Sequence, residues 1–548
     1  MISSLILSFL ALVGASYARW IVPAARWYDT GGNRFNAHAG GICLDQDNET
    51  FYWFGEYKTS EHPEGGGISV YSSKDLATWK AHGLALGKAM MTLHLVPYII
   101  IFLIVFLLLL LLLVVIIISS LPDILESASH EWAADLILAV APVEGHPWLS
   151  PTENRIQRPK VVYSEETGKY HMHWHADDNK YTKLLQGLAT SDHIAGPYEF
   201  QHAIAPLGNW SQDFGLFTDY KDGHSYALYS NGDRVEGRDV YITRYNSNIT
   251  LPKEVVYRFP KFDLEAPTII QTEHSYYAIM SHKTGYRPNN VVAFRADSLA
   301  GPWSMPFLVA PPYTRTFSTQ SSFALRINGK KKTSYLYMGD TLTRFLHLQK
   351  WDSLDHSESR NTWLPMEIDD RKGTLNIVWH DVFDLNIKTG EWKPVEGRTY
   401  WARHARTTGN AYLQEANFAG SGVMATGIFS NTSMVVFEVD GAGKDQWVSF
   451  YHQNIDDMGF GDQPYGNPDR INGTWTLRRI SSVIVNDDES AVHTLYQKDT
   501  HKSIILSSPL LLPLKKGKNK ITIGGLFNGK DYHGADIEKL VVYPPENI

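Results

Sequence analysis

The sequence predicts an all-β protein, a five-bladed β-propeller followed by a β-sandwich. Phe, Trp and Tyr make up 12% of the 548 residues, and these residue types favour strands. One signature of alternating aromatic and apolar residues occurs in five copies: FYWFGE from Phe51, YHMHWH from Tyr170, SYALYS from Ser225, SYYAIMSH from Ser275 and SYLYMGD from Ser334. The last four copies begin about 50 to 60 residues apart, the length of a four-stranded propeller blade with its loops. The alternative is one large sandwich whose Tyr-rich strands resemble each other by chance.

A second motif supports the blade repeat, because it follows three of these copies and ends in a turn. Its copies are SSKDLATW (Ser72 to Trp79), TSDHIAGPY (Thr190 to Tyr198) and RADSLAGPW (Arg295 to Trp303), each expected to be an outer strand with its turn. We therefore assign residues 19–395 to the propeller. After a linker near Val395 to Thr399, short strands such as SMVVFEVD and NKITIGGLF predict a sandwich over residues 398–548.

The charge and composition exclude several classes of protein. The 58 acidic and 50 basic residues give a net charge of -8 without a long basic run, so we expect no nucleic-acid partner. Exposed aromatic rings suit the flat apolar faces of sugars instead. Cys43 is the single cysteine, which rules out a disulfide within the chain. We expect the protein to be a monomer.

The N-terminus predicts secretion. Residues 1–18 are typical of a signal peptide, with an apolar run from Leu5 to Val13 and small residues at Ser16 and Ala18. A buried first strand is the alternative. Five Asn-x-Ser/Thr triplets agree with an extracellular protein; they begin at Asn48, Asn209, Asn248, Asn431 and Asn472.

A second apolar segment interrupts the propeller. The run from Ile99 to Ile118 is uncharged and long enough to cross a bilayer. A membrane helix there would place the strand-rich flanks on opposite sides of the membrane, which a single propeller domain does not permit. We therefore interpret about residues 88–138 as a retained intron or aberrant insertion, with a membrane helix and a buried helix as alternatives. A membrane is a partner only if the tract is genuine.

Seven short blocks carry a family resemblance. They are AHAGGI (Ala37 to Ile42), YWFGE (Tyr52 to Glu56), RPKVVY (Arg158 to Tyr163), SQDFGLFTD around Asp213, LEAPTI (Leu264 to Ile269), SHKTGYRPN (Ser281 to Asn289) and STQSSF (Ser318 to Phe323). With them, about residues 20–395 resemble glycoside hydrolase family 43, and within it the fungal exo-β-1,3-galactanases. The resemblance implies a five-bladed propeller and an inverting mechanism. AGSGV (Ala419 to Val423), SSVIVND (Ser481 to Asp487), LKKGKNKITI (Leu514 to Ile523) and ADIEKLVV (Ala535 to Val542) are similar to carbohydrate-binding module family 35.

Glu265 is the predicted general acid. Inverting cleavage needs one acid for the leaving oxygen and one group, about 6.5 to 9.5 Å away, that activates water. In LEAP, an apolar Leu264 and the Ala266-Pro267 turn would partly desolvate the carboxyl of Glu265 and favour its protonated form. The alternative is a surface glutamate before a proline turn.

Two glutamines occupy the other predicted catalytic positions. The family's usual first-blade aspartate is absent, since AHAGG offers only His38, and the resemblance implies that Gln320 positions the water instead. A structural amide in the channel is the alternative. Gln157 departs from the common family motif Glu-Arg-Pro-Lys-Val, and the lost charge should lower the proton affinity of Glu265 and shift the working pH.

The resemblance also implies which residues contact sugar: Glu56, Tyr181, Asp213 and Thr284. Strand-end capping or Tyr packing is the alternative for each. His171, His173 and His175 alternate along one strand and could ligate a metal, although we expect packing or channel lining. No organic cofactor is implied. Trp401-Ala402-Arg403 stands where such modules have Glu-Ala-Glu, which argues against a calcium site in the sandwich.

These features together predict a secreted, extracellular hydrolase. We expect it to release galactose from the β-1,3-galactan of arabinogalactan-type polysaccharide, while the sandwich holds the polymer. The alternatives are an arabinofuranosidase or xylosidase of the same family, and a catalytically inactive carbohydrate-binding protein, which the Gln157 departure favours.

Overall fold

A computed structural model describes residues 20–59, 66–86, 154–232, 237–283, 289–341, 360–454, 478–498, 500, 503–527 and 530–546. The predicted signal peptide, the apolar tract at 88–138 and Asn472 lie outside these ranges, so what the sequence predicts for them remains a prediction. Within the described ranges, no helix is long and apolar enough to cross a membrane.

The described residues of the N-terminal part form five antiparallel sheets, each made of four strands that follow one another in sequence. The first has β1 (His38–Asp45), β2 (Thr50–Glu56), β3 (Ile68–Ser73) and β4 (Lys80–Leu86). The second has β5 (Asn154–Ser164), β6 (Lys169–Asp178), β7 (Leu185–Ser191) and β8 (Glu199–Ile204). The third has β9 (Gln212–Thr218), β10 (Ser225–Ser230), β11 (Val240–Tyr245) and β12 (Pro252–Phe259). The fourth has β13 (Leu264–Gln271), β14 (Tyr276–His282), β15 (Val291–Ala296) and β16 (Phe307–Leu308), and the fifth has β17 (Gln320–Asn328), β18 (Thr333–Thr341), β19 (Arg360–Asp369) and β20 (Thr374–Ile377). One-turn helices cover Pro206–Gly208 and Arg315–Ser318.

Each aromatic repeat forms the second strand of one sheet. These strands have hydrogen-bonded neighbours on both sides, and each contributes at least one large aromatic side chain that is almost completely buried: Trp53, Trp174, Tyr229, Tyr277 and Tyr337. The sequence repeat therefore arises from the packing between neighbouring sheets, where flat aromatic rings fill the space. The all-β prediction is confirmed.

The five sheets form a closed ring, a five-bladed propeller. The first strands β1, β5, β9, β13 and β17 contact each other in that order, and β17 also contacts β1. The seam between the fifth and first sheets is apolar, with the rings of Trp363 and Trp53 at 4.6 Å between centroids. The first strands thus surround one central channel.

The C-terminal part is a β-sandwich. A small hairpin, β21 (Phe383–Asn386) and β22 (Glu391–Pro394), precedes it. One six-stranded sheet contains β23 (Arg398–Trp401), β25 (Tyr412–Glu415), β26 (Val423–Thr426), β28 (Lys444–Gln453), β31 (Leu506–Leu514) and β34 (Asp536–Val542). The other contains β24 (Arg406–Thr407), β27 (Ser430–Gly441), β29 (Arg478–Val485), β30 (His493–Lys498), β32 (Gly517–Phe527) and β33 (Lys530–Asp531), and a one-turn helix covers Ala402–His404. A single apolar core, with Phe437 from one sheet and Phe450 from the other, joins the two sheets.

Candidate active site

The five innermost strands are distorted at one end of the channel. Ala39, Arg158, Asp213 and Ala266 have positive φ angles of 48°, 54°, 55° and 55°, and the pairing register with the next strand shifts beside each. In the fifth sheet the register shifts between Ser321 and Phe323. Such bulges re-aim the neighbouring side chains. They direct polar side chains of several blades toward one place.

Glu265 lies in that place and is buried, with 6% of its surface exposed. Its Oε2 accepts a hydrogen bond from Arg238 Nη1 at 2.8 Å, and its Oε1 accepts one from Gln320 Nε2 at 2.8 Å. Donors on both oxygens favour an ionised carboxylate. A general acid must carry a proton when the bond breaks, so a competing negative charge has to offset Arg238.

Asp213 provides that charge, because it shares the same guanidinium nitrogen. Arg238 Nη1 also donates to Asp213 Oδ2 at 3.0 Å, and Arg158 Nε donates to Asp213 Oδ1 at 3.1 Å. Burial opposes ionisation of Asp213, but Arg158, Arg238 and then His175 outweigh it and hold the pKa of Asp213 below its ordinary value. An ionised Asp213 favours the protonated form of Glu265.

Gln320 has a partner on each end of its amide. Its Oε1 accepts a hydrogen bond from Arg158 Nη2, and its Nε2 donates to Glu265 as described. The oxygen keeps a second lone pair and the nitrogen a second proton, which are the two groups needed to orient one water molecule. The left-handed turn Arg315–Ser318, with φ from 48° to 60°, delivers Gln320 to the channel.

Arg158 is the cation around which the site is organised. Burial lowers its pKa, but the carboxylates of Asp213, Glu56, Glu265 and Asp340 outweigh this and raise it. Its backbone N–H donates to Glu56 Oε1 at 2.9 Å, and Nη1 donates to the Ser321 carbonyl at 3.1 Å. Glu56 also forms a buried ion pair with Lys58 at 2.6 Å. One arginine thereby links the first, second, third and fifth blades.

The remaining predicted residues fall partly inside this cluster. Gln157 Nε2 donates to the Tyr181 hydroxyl at 3.1 Å, so these two lie together at the edge of the site. Thr284 lies outside the described residues. His171, His173 and His175 are buried on one face of β6, and the described part of the chain contains no group of three His, Cys, Asp or Glu side chains that could hold a metal.

The sequence reasoning missed Arg238, Asp340 and Lys58. Asp340 Oδ2 accepts the Ala39 N–H, and burial raises the pKa of Asp340 to about 6, against the opposing effects of that hydrogen bond and Arg158. Asp340 ends the fifth aromatic repeat as Glu56 ends the first, a signal that aligning the repeats would have revealed. Arg238 lies between strands and has no comparable signal.

Known proteins that are similar to this chain include glycoside hydrolases. Residues 155–340 match the model of glycosyl hydrolases family 43. The exo-β-1,3-galactanase of Phanerochaete chrysosporium, solved with galactose, has 27% identity and a TM-score of 0.72, covering 96% of this chain and 100% of that one. A variant of that enzyme solved with β-1,3-galactotriose has 28% identity, a TM-score of 0.72 and the same coverage, 96% and 100%. The exo-β-1,3-galactanase of Clostridium thermocellum shares the fold at 22% identity, with a TM-score of 0.51 over 78% of this chain and 80% of that one. No curated protein sequence matches the chain.

The propeller and these matches define a glycoside hydrolase. The resemblance to glycoside hydrolase family 43, and to its fungal exo-β-1,3-galactanases, is confirmed. The similarity of the sandwich to carbohydrate-binding module family 35 stays a prediction, as do the roles assigned to the site residues.

Proposed function

We propose that this glycoside hydrolase is a secreted enzyme that removes galactose from the ends of β-1,3-galactan chains with inversion at the anomeric carbon. The contact between Glu265 and Gln320, with Arg158 and Arg238 on either side, carries the proposal. It supplies an acid and a neutral water-orienting group in one buried cluster. The similar Phanerochaete enzyme, solved with galactose and in a variant with β-1,3-galactotriose, supports the choice of sugar.

In the proposed reaction, Glu265 gives its proton to the glycosidic oxygen, the bond between that oxygen and the anomeric carbon breaks, and a water molecule bonds to the carbon from the opposite face. The shortened galactan chain leaves with the proton as a free hydroxyl group. The water loses one proton to the solvent, and Glu265 takes up a proton from the solvent before the next turnover. Gln320 holds the water by accepting one hydrogen bond and donating another. Because the two side chains touch at 2.8 Å, the sugar has to separate them on entry.

The rest of the molecule supports action on an extracellular polymer. The triplet asparagines Asn48 and Asn431 are exposed and accessible to glycosylation. We infer that the sandwich holds the polymer and that arabinogalactan-type material is the natural substrate. Glu56, Asp213 and Tyr181 line the cluster with acceptors for sugar hydroxyls and one ring for a sugar face.

The test is product analysis with three substrates. The enzyme should release galactose from β-1,3-galactan, first as the α-anomer by NMR, and leave arabinoxylan and nitrophenyl arabinofuranoside intact. Glu265→Gln keeps the shape of the side chain but cannot transfer its proton, so we expect kcat to fall by about 10² to 10⁴-fold. Glu273→Gln is the matched control, because Glu273 lies just beyond β13 and its side chain is 85% exposed.

Two outcomes would contradict the proposal. Release of arabinose or xylose in preference to galactose would show that the enzyme is an arabinofuranosidase or a xylosidase instead. Full activity of Glu265→Gln, or equal losses in both glutamate variants, would remove Glu265 from the role of acid.

A further inference from the structure

Two residues of the histidine-rich strand β6 form a pair that the proposed reaction does not use. His175 Nε2 lies 3.0 Å from Asp177 Oδ2, and both side chains are 0% exposed. A histidine and a carboxylate buried together usually fix one another's orientation. The pair lies directly beside the site, because His175 is the pairing partner of Gln157 on β5.

Asp177 clamps both ends of the segment that follows β6. Its Oδ1 accepts hydrogen bonds from the backbone N–H groups of Asp178 at 2.9 Å and Lys183 at 2.8 Å. His175 occupies the other oxygen, so the carboxylate has a fixed orientation. Asp178 closes the middle of the loop, where its Oδ1 accepts the N–H groups of Lys180 at 3.1 Å and Thr182 at 2.8 Å, and Asp177 ties the start of the loop to its end at Lys183.

That loop carries Tyr181, the predicted sugar-contacting residue. Tyr181 adopts φ of 54°, an unfavourable region for a tyrosine, which only a constrained loop maintains. Its hydroxyl accepts a hydrogen bond from Gln157, and its ring lies 6.1 Å from the His175 ring. The position of Tyr181 therefore depends on the contacts that hold this loop, and Asp177 fixes the end of the loop at Lys183.

The other two histidines of the strand make different contacts. His171 and His173 both contact the Ile249 carbonyl, at 3.3 and 3.0 Å, and so join the second blade to the third. His175 has no such contact, and its Nδ1 is buried without a hydrogen-bond partner among the described residues. A buried nitrogen without a hydrogen bond destabilises the fold. The contact with Asp177 is therefore the interaction that accounts for a histidine at this position.

We propose that His175 and Asp177 are a positioning pair, which holds the loop of residues 178–183 so that Tyr181 and Gln157 present one edge of the sugar site. The inference rests on the proposed function, since it assigns Tyr181 to substrate binding. It predicts that the pair controls substrate affinity more than the chemical step.

The experiment compares kcat and KM on β-1,3-galactobiose. Asp177→Ala removes the clamp, and we expect KM to rise about tenfold, the equivalent of roughly one hydrogen bond, with kcat within about threefold of wild type. Asp177→Asn keeps an acceptor for the two N–H groups, so its KM should stay within about threefold of wild type. The double variant Asp177→Ala with Tyr181→Ala should bind no more weakly than Tyr181→Ala alone, because both changes remove the same contact.

His173→Gln is the matched control, because His173 is equally buried on the same strand but contacts Ile249. It should leave KM unchanged even where it lowers Tm. An additive double variant, or a KM change in His173→Gln as large as in Asp177→Ala, would overturn the pair's role. Turnover by the wild-type enzyme tests the proposed function separately. If the enzyme prefers an arabinoside, the same variants are compared on that substrate. If it turns over no substrate, the affinity of the variants for oligosaccharide is measured by calorimetry in place of KM.

Discussion

At the scale of single residues, four carboxylates lie around one guanidinium. Asp213, Glu56, Glu265 and Asp340 all raise the pKa of Arg158, while burial and Arg158 hold the pKa of Lys160 well below its ordinary value. The carboxylates therefore stabilise the positive charge of Arg158, whereas burial disfavours a charge on Lys160. Gln157, at the edge of this cluster, is the position where the family commonly carries another carboxylate.

Gln157→Glu should move the pH profile of the enzyme. A negative charge near Glu265 favours its protonated form, so the fall in kcat/KM at high pH should shift upward. Because Gln157 bonds to Tyr181, the variant also keeps a partner for that hydroxyl. Measurement of kcat/KM from pH 3 to 9 provides the test, with Gln201→Glu as control, because Gln201 is an exposed residue of β8. An unchanged profile would mean that residues 157 and 265 are not electrostatically coupled.

Asp340→Asn should change how stability depends on pH. Burial raises the pKa of Asp340 to about 6, above the roughly 3.9 of an unfolded aspartate. Its stabilising contribution is therefore complete below pH about 4 and is lost as the pH rises through 6. The wild-type free energy of unfolding should fall, relative to the variant, by up to about 3 kcal/mol over that window. Urea unfolding at pH 4 to 7 tests this, and a constant difference between the two proteins would contradict it.

At the scale of elements, the second strands were predictable and the bulges were not. Trp53 and its counterparts repeat because every blade needs an aromatic side chain between its neighbours, and this requirement is visible as a sequence repeat. Positive φ at Arg158 or Asp213 depends on contacts across the channel, which no local pattern records. The turn that follows Glu265 in the sequence made this residue a candidate. Arg238, its ion-pair partner, is recognisable only in the folded structure.

The glycines of the first bulge provide an element-scale test. A Cβ on Gly40 would overlap the backbone carbonyl of Phe54, whereas a Cβ on Gly41 would meet only the side chains of Lys160 and Phe323. Gly41→Ala should cost about 1 to 3 kcal/mol, because Lys160 has to leave the Ala39 carbonyl, which it contacts at 3.0 Å. Gly40→Ala should prevent folding of the first blade. Thermal unfolding and soluble yield distinguish them, and equal effects would mean that the bulge is not the constraint.

At the scale of the whole molecule, the sandwich and the propeller share buried surface. Val22 and Val382 pack against Val541 and Tyr543 of the sandwich. Leu506 at the start of β31 belongs to an apolar cluster of the fourth and fifth blades. Removal of the sandwich would expose these side chains. A point substitution at the junction is therefore a sharper test than truncation.

Asp381 is the residue to change, because its carboxylate joins the two parts. Its Oδ1 accepts from Trp379 Nε1 at 2.7 Å and from Ser507, and its Oδ2 accepts from the Tyr451 and Tyr543 hydroxyls at 2.7 Å each. Burial and then Asp381 raise the pKa of both tyrosines, which therefore remain donors. Asp381→Ala leaves these donors without their acceptor, so unfolding should become easier by about 3 kcal/mol and protease should cut near residues 395–399.

The activity of Asp381→Ala on galactan should fall more than its activity on galactobiose, because the sandwich no longer holds the polymer beside the channel. Asp384→Ala, in the neighbouring hairpin strand and partly exposed, is the control. Equal stability of the two variants, or equal losses on both substrates, would show that this carboxylate does not couple the sandwich to the propeller.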